Sequence, residues 1–251
     1  MNELDLEAAP AAPLAEILRP KTLDDVVGQR PLLGPQGRLR LMLAYGSLGS
    51  IIFWGPPGTG KTTIARLLAD AADMAFEPIS AVFDGVGELR KVFDRATQRR
   101  LQGRRTLLFV DEVHRFNKAQ QDGLLPRVED GTVTLVGATT ENPSFALNGA
   151  LLSRAQVLVL DRLDRTALET ILSRLETHIG RDLPVDEDAR AALIGMADGD
   201  GRYLLNMASL LVGMPATSML DSHDLAELVA GRAPAFDRAG DQHYNLMSAL
   251  H

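Results

Sequence analysis

The string Gly55-Pro56-Pro57-Gly58-Thr59-Gly60-Lys61-Thr62 directly follows the apolar run Ser50-Ile51-Ile52-Phe53-Trp54 and leads into a segment of helical period. It restricts the fold because it works only between a strand and a helix. Glycines let the backbone curl until successive N–H groups point inward at phosphate oxygens, and the helix that follows adds the positive end of its dipole. In that setting Lys61 reaches the β and γ phosphates and the Thr62 hydroxyl ligates Mg²⁺. The plainer alternative is a Gly/Pro-rich turn between a buried strand and a helix. Such turns rarely supply Lys-Thr at the phosphate-facing end, so a nucleoside triphosphate is the expected ligand.

The 251 residues suffice for two modest domains, each with its own core. Hydrophobic residues at 45% and charged residues at 24% are ordinary for a globular chain, and no apolar run is long enough to cross a bilayer. Residues 1–13 form an acidic, Ala/Pro-rich segment without a basic start or apolar centre, which reads as a loose leader rather than a signal peptide. There are no cysteines, so disulfides and thiolate metal sites are excluded and a cytoplasmic location is the simplest expectation. The net charge of −7 argues against a globally basic nucleic-acid coat. Arg90, Lys91, Arg95, Arg99, Arg100, Arg104 and Arg105 make the nearest thing to a basic patch. On a helix they fall on several faces beside Glu88 and Asp94, so a solvated helix flank is expected rather than a groove binder.

Short apolar runs at Ile51 to Trp54, Leu107 to Val110, Thr132 to Val136 and Val157 to Leu160 read as strands, with helix-period segments between the first three. That alternation predicts a parallel α/β sheet with helices on it. The helix opening at Lys61 carries Ile64, Leu67, Leu68 and Ala71 on one face, and Val86 to Leu101 carries Leu89, Val92, Phe93 and Ala96. After Leu160 the pattern becomes helical, over Arg165 to Ile179, Asp186 to Met196, Arg202 to Met214 and Asp221 to Ala230. A small helical domain is expected there, with the boundary near Asp161 to Asp164.

Leu107-Leu108-Phe109-Val110 runs straight into Asp111-Glu112, an apolar strand that delivers two carboxylates at its carboxyl end. Beside a phosphate loop, Asp111 would hold the Mg²⁺ shell while Glu112 orients and polarises the water attacking the γ-phosphate. Neighbouring residues on an extended strand face opposite ways, so both can serve only if the strand ends there.

Phosphate loop, Asp-Glu strand end and trailing helical domain together resemble the AAA+ ATPases. Within them, Phe109-Val110-Asp111-Glu112-Val113-His114-Arg115-Phe116-Asn117-Lys118-Ala119-Gln120-Gln121-Asp122 and Gly137-Ala138-Thr139-Thr140-Glu141-Asn142-Pro143-Ser144-Phe145 resemble the replication-associated recombination protein A family, related to the eukaryotic Werner helicase-interacting protein. The likeness runs from about Leu14 to the C-terminus. It implies a P-loop AAA+ core over 14–162, an all-helical lid over 163–235, and the opening of a truncated C-terminal oligomerisation domain over 236–251.

Residue by residue, the resemblance implies ATP as the nucleotide. Gly55, Pro56, Pro57, Gly58, Thr59, Gly60, Lys61, Thr62, Thr63 and Asp111 would contact it, with Thr62 and Asp111 on Mg²⁺. Thr140 matches the sensor 1 position, with Thr139 as the alternative. Leu152-Ser153-Arg154 resembles the clamp-loader Ser-Arg pair, whose arginine enters the neighbouring subunit's ATP site. Gly199-Asp200-Gly201-Arg202 resembles sensor 2 and makes Arg202 the lid contact to the γ-phosphate. Tyr203 departs from the pattern, since family members carry a second arginine there. Arg19-Pro20 and Asp25-Val26-Val27-Gly28-Gln29 resemble the segment around the adenine, with Val26 and Val27 as pocket walls. His114, Arg115, Asn117 and Lys118 have two readings, a solvated helix start capped by Asn117 or a relay between ATP site, neighbouring subunit and DNA.

The implied activity is a DNA-dependent ATPase acting at stalled or gapped replication forks in replication, recombination and repair, with Glu112, Lys61, Thr140, Arg154 and Arg202 as the catalytic set. Implied partners are single-stranded, gapped or forked DNA, further copies of the chain, and a single-strand-binding or replisome protein. The implied place is the cytoplasm, at the nucleoid in a bacterium. A clamp-loader or branch-migration motor subunit, and a non-hydrolysing ATP-gated binding module, are the alternative readings.

Overall fold

A computed structural model of the chain describes residues 12–215 and 218–231. The expected leader, up to residue 11, and the expected oligomerisation segment 236–251 lie outside the described residues. The chain divides into two compact units. Among the described residues, one comprises Pro20–Ala167 with Gly199–Gly201, and the other 12–19, Leu168–Asp198, 202–215 and 218–231.

The first unit is built on five parallel strands, β1 (Ile51–Trp54), β2 (Ala75–Ser80), β3 (Thr106–Asp111), β4 (Thr134–Thr139) and β5 (Gln156–Val159), in the order β2-β3-β4-β1-β5. In chain order the helices begin with α1 (Leu14–Ile17), α2 (Arg30–Leu33), α3 (Arg38–Ala44), α4 (Lys61–Ala71) and α5 (Val86–Leu101). There follow α6 (Lys118–Glu129), α7 (Pro143–Ala146), α8 (Gly149–Leu152), α9 (Arg165–Ile179), α10 (Glu187–Ala197), α11 (Gly201–Val212) and α12 (Ser222–Ala230). The α/β class is as expected, and β4 is displaced two residues at its start from the anticipated Thr132.

Alternation along the strands separates two apolar layers. Ile51, Phe53, Leu107, Phe109 and Val136 pack with Ile64, Leu67 and Leu68 of α4, whereas Ile52, Leu108, Val110 and Leu135 pack with Leu89, Val92 and Ala96 of α5. Burial on both faces explains why the central strands read as unbroken apolar runs. Ala71, expected on the inner face of α4, is exposed in its last turn.

Strand β2 has no such run, which is why Ala75–Ser80 escaped the sequence pattern. Pro78 has no N–H for a ladder, and β2 tolerates it because it is a sheet edge paired only with β3. Glu77 points inward, its side chain 10% exposed, and receives Arg95 Nη2 at 2.8 Å and Arg99 Nη1 at 2.5 Å from α5. Two cations of the basic cluster are therefore committed inward. Lys91 pairs with Glu88 and Arg100 with Asp130, which accords with a helix flank rather than a groove.

Burial alone would raise the Glu77 pKa, but the hydrogen bonds and charges of Arg95 and Arg99 outweigh it and hold the carboxyl below its ordinary value. A depressed folded-state pKa gives stability present above the unfolded-state pKa and lost as pH falls through the folded one. Glu77→Gln should therefore cost roughly 1–3 kcal/mol near pH 7. The gap to the parent should close below about pH 4, as read from denaturation midpoints along a pH series.

In the second unit, α9 to α12 lie where the helical periodicity anticipated them. Asp186 accepts from the Ala189 N–H as the α10 cap, and Gly180 ends α9 at φ +72°. Arg190 joins α10 to α9 through Glu169 at 2.8 Å and Glu176 at 2.6 Å.

Candidate active site

Parallel strands bring their carboxyl ends to one edge of the sheet, where ligands of such sheets bind. Trp54 is level with Thr139 on one side and Val159 on the other, and Ser80 is level with Asp111. The phosphate loop, the Asp111-Glu112 end and the Thr139-Thr140 end therefore leave the sheet together.

The loop needs its glycines for stated reasons. Gly58 and Gly60 have φ of +67° and +97°, a region that costs a residue with a Cβ. At Gly55 a Cβ would fall 2.2 Å from the Leu160 carbonyl oxygen. Lys61, at the start of α4, is 8% exposed, and its Nζ donates to the carbonyls of Gly55 at 2.8 Å and Pro56 at 2.7 Å. Thr59 Oγ1 donates to Pro56 at 3.0 Å and fixes the turn. The result is a glycine cradle with an ammonium at its mouth, followed by Thr62 and Thr63 in the first turn of the helix. Asp200 lies against this loop, since a Cβ on Gly58 would fall 1.7 Å from its Oδ1, and the Gly201 N–H donates to the Gly58 carbonyl at 3.3 Å. Gly199–Gly201 belongs to the unit of the loop, and Arg202, next in the chain, belongs to the other.

Asp111 closes β3, and Glu112 follows it at φ 51°, ψ 46°. This left-handed turn is the strand ending that two adjacent carboxylates require to share one side. The hydroxyl of Thr62 and the carboxylate of Asp111 are hard oxygen donors, the kind Mg²⁺ takes.

Thr139 and Thr140 separate clearly. Thr139 is fully buried, and its Oγ1 lies 2.9 Å from His114 Nδ1. Thr140 is exposed and lines a cavity of about 470 Å³ with Trp54, Gly55, Pro56, Pro57 and Asp161. Neither Val26 nor Val27 is in that lining; Val26 packs on the α4-side apolar layer. Gln29, the last residue of the segment likened to the adenine surround, is 7% exposed, and its side chain bonds the Asp161 backbone twice, donating at 2.7 Å and accepting at 3.2 Å. No local pattern announces a bond across that chain distance.

Arg154 lies at the opposite edge. It precedes β5, whose Gln156 is level with Ile51 at the amino end of β1. It is thus a strand length, on the order of 13 Å, from the carboxyl edge. Its Nε meets Glu129 Oε1 at 2.5 Å, with the two side chains 40% and 48% exposed.

In the 114–118 stretch, Asn117 accepts from the Gln120 N–H and caps α6, as the plainer reading expected. His114 is a buried ring between Glu112, Thr139 and Glu141.

The family described as ATPase family associated with various cellular activities (AAA) matches residues 51–163, and the one described as AAA C-terminal domain matches 179–251. Replication-associated recombination protein A of Escherichia coli (strain K12) is 44% identical over 258 residues, 99% of this chain and 58% of that protein. The protein of the same description from Haemophilus influenzae is 46% identical over 248 residues, 95% of this chain and 56% of that protein. The chain thus spans under two thirds of the curated relatives it matches. Among solved structures, the Thermotoga maritima RuvB Holliday junction branch migration motor superposes with a TM-score of 0.68 at 25% identity, over 85% of this chain and 72% of that one.

Proposed function

The chain belongs to the replication-associated recombination protein A family of AAA+ ATPases, and from that footing we propose that it hydrolyses ATP at a site completed by a neighbouring copy, with forked or gapped DNA as the stimulus. The observation that carries this reading is the common edge on which the Gly55 to Thr62 loop, Asp111-Glu112 and Thr140 emerge, with Thr140 and the loop lining one cavity. Loop N–H groups and Lys61 bind the phosphates. Glu112 takes the proton of the attacking water, and Thr140 orients the γ-phosphate. Thr62 and Asp111 would hold Mg²⁺, which would supply charge neutralisation on the phosphates.

Arg154 serves a different copy of the chain, because its own phosphate loop is at the far edge of the sheet. Arg202 acts from the helical lid, and Val26 and Val27, outside the cavity that Thr140 lines, would wall a separate place for the base. The protein works in the cytoplasm, at the nucleoid if bacterial, and no helix among the described residues is long and apolar enough to cross a membrane. Phosphate release per chain should rise with protein concentration and rise again with forked DNA. Absence of turnover at any concentration would favour an ATP-gated binding module.

The likeness to the RuvB motor supports a second reading, branch migration. Stronger stimulation by a four-way junction than by a fork would favour it.

A further inference from the structure

Glu112 does not stand alone at the end of β3. Val113 and Phe116, both buried, anchor the single 3-10 turn Val113–Arg115 in the α5-side apolar layer. Gly137 of β4 admits that turn, since a Cβ there would fall 3.1 Å from Val113 Cγ1 and 2.8 Å from Ile52 Cδ1. The fit holds His114, its side chain 3% exposed, against the end of β4. Its Nδ1 is 2.9 Å from Thr139 Oγ1, and its Nε2 is 3.2 Å from Glu112 Oε2 and 3.4 Å from Glu141 Oε1.

The hydrogen bonds assign the tautomer. Thr139 Oγ1 accepts the Glu141 N–H at 3.0 Å, and its own proton can go to Nδ1 at 2.9 Å or to the Glu141 carbonyl at 3.3 Å. Nε2 faces two carboxylates, which only accept, so the ring carries a proton there. One N–H cannot serve both. Glu141 is 58% exposed and Glu112 31%, so either carboxylate can turn away toward water.

The geometry points to His114 as a positioning residue that links the γ-phosphate contact to Glu112, with Glu141 as the alternative acceptor of its Nε2 proton. Thr140 meets the nucleotide, and its neighbour Thr139 holds the ring. The ring N–H sets the Glu112 carboxylate in place, and as Thr140 is engaged it turns to Glu141 and leaves the placed carboxylate free to take the proton of the water. This inference rests on the proposed role of Glu112 as base.

Side-chain length separates the two ends of the ring. In His114→Gln the amide reaches the Nε2 position, and in His114→Asn only the Nδ1 position. Turnover in the Asn variant should fall on the order of 100-fold, as for a misplaced reacting group. The Gln variant should recover to within about tenfold of the parent. ATP affinity, read from the emission of Trp54, the single tryptophan and a cavity-lining residue, should be unchanged in both.

Glu141→Gln, at an exposed position that tolerates the change, is expected to lower turnover about threefold or more at unchanged ATP affinity, because Glu112 keeps the N–H. It decides the matter alone if His114 variants do not fold. The ring ¹⁵N signals of His114 should also shift when a non-hydrolysable ATP analogue is added to the parent chain. Equal turnover in parent, His114→Asn and Glu141→Gln, or an unmoved ring signal, overturns the inference. A joint loss of turnover, ATP affinity and thermal stability in both His114 variants overturns it too, as a purely structural role. Glu112→Gln in the same assay separates the two levels, since turnover retained there overturns the base itself.

Discussion

Glu112→Gln is expected to leave ATP binding intact and to slow turnover on the order of 10² to 10⁴-fold, the range for removing a positioned general base. Glutamine keeps the length and hydrogen-bonding shape of the side chain but cannot take the proton of the attacking water. The φ of 51° at this position burdens Glu and Gln alike, so the turn at the end of β3 should survive the exchange. Trp54 emission with ATP measures the binding half and phosphate release the chemical half. Loss of both would assign Glu112 to folding or binding; loss of neither would remove it from the mechanism.

Arg154→Ala is expected to have the other large effect, a fall in turnover on the order of 10³-fold or more, in line with a charge supplied in trans to the transition state. Its ion pair with Glu129 does not oppose that role. Both side chains are more than a third exposed, and a pair so placed contributes only about 0–1 kcal/mol, little against the work of engaging a phosphate. The exposed pair also means that the monomer should be about as stable without Arg154 as with it. A thermal melt close to the parent's, together with lost turnover, is the expected signature. A variant that turns over normally would return Arg154 to the status of a surface arginine.

The sequence marked those residues whose chemistry is local. Gly58 and Gly60 announce a left-handed loop by their identity, Asp186 and Asn117 announce helix caps, and the run Leu107 to Val110 announces a strand buried on both faces. The requirement that β3 end at Asp111 for both carboxylates to be usable is met by the left-handed Glu112. Where the determining contact is distant, the signal fades. Strand β2 contains Pro78 and a buried Glu77, neither of them a strand signal, and is understood only with Arg95 and Arg99 of α5 in place. The difference between Thr139 and Thr140 is one of burial, which their identical side chains cannot announce. The positions of His114 and Glu141 depend on β4 meeting the turn after β3, and Gly137 hints at that meeting only once its neighbours are known.

An ATP site shared between two copies makes a demand that no single chain can satisfy, and mixing two disabled chains tests it. Chains carrying Glu112→Gln retain Arg154, and chains carrying Arg154→Ala retain Glu112. Each is expected to be nearly inactive alone. In an equal mixture about a quarter of head-to-tail interfaces should pair an intact Glu112 with an intact Arg154, and phosphate release should recover accordingly. A mixture no more active than its two components would contradict the shared site.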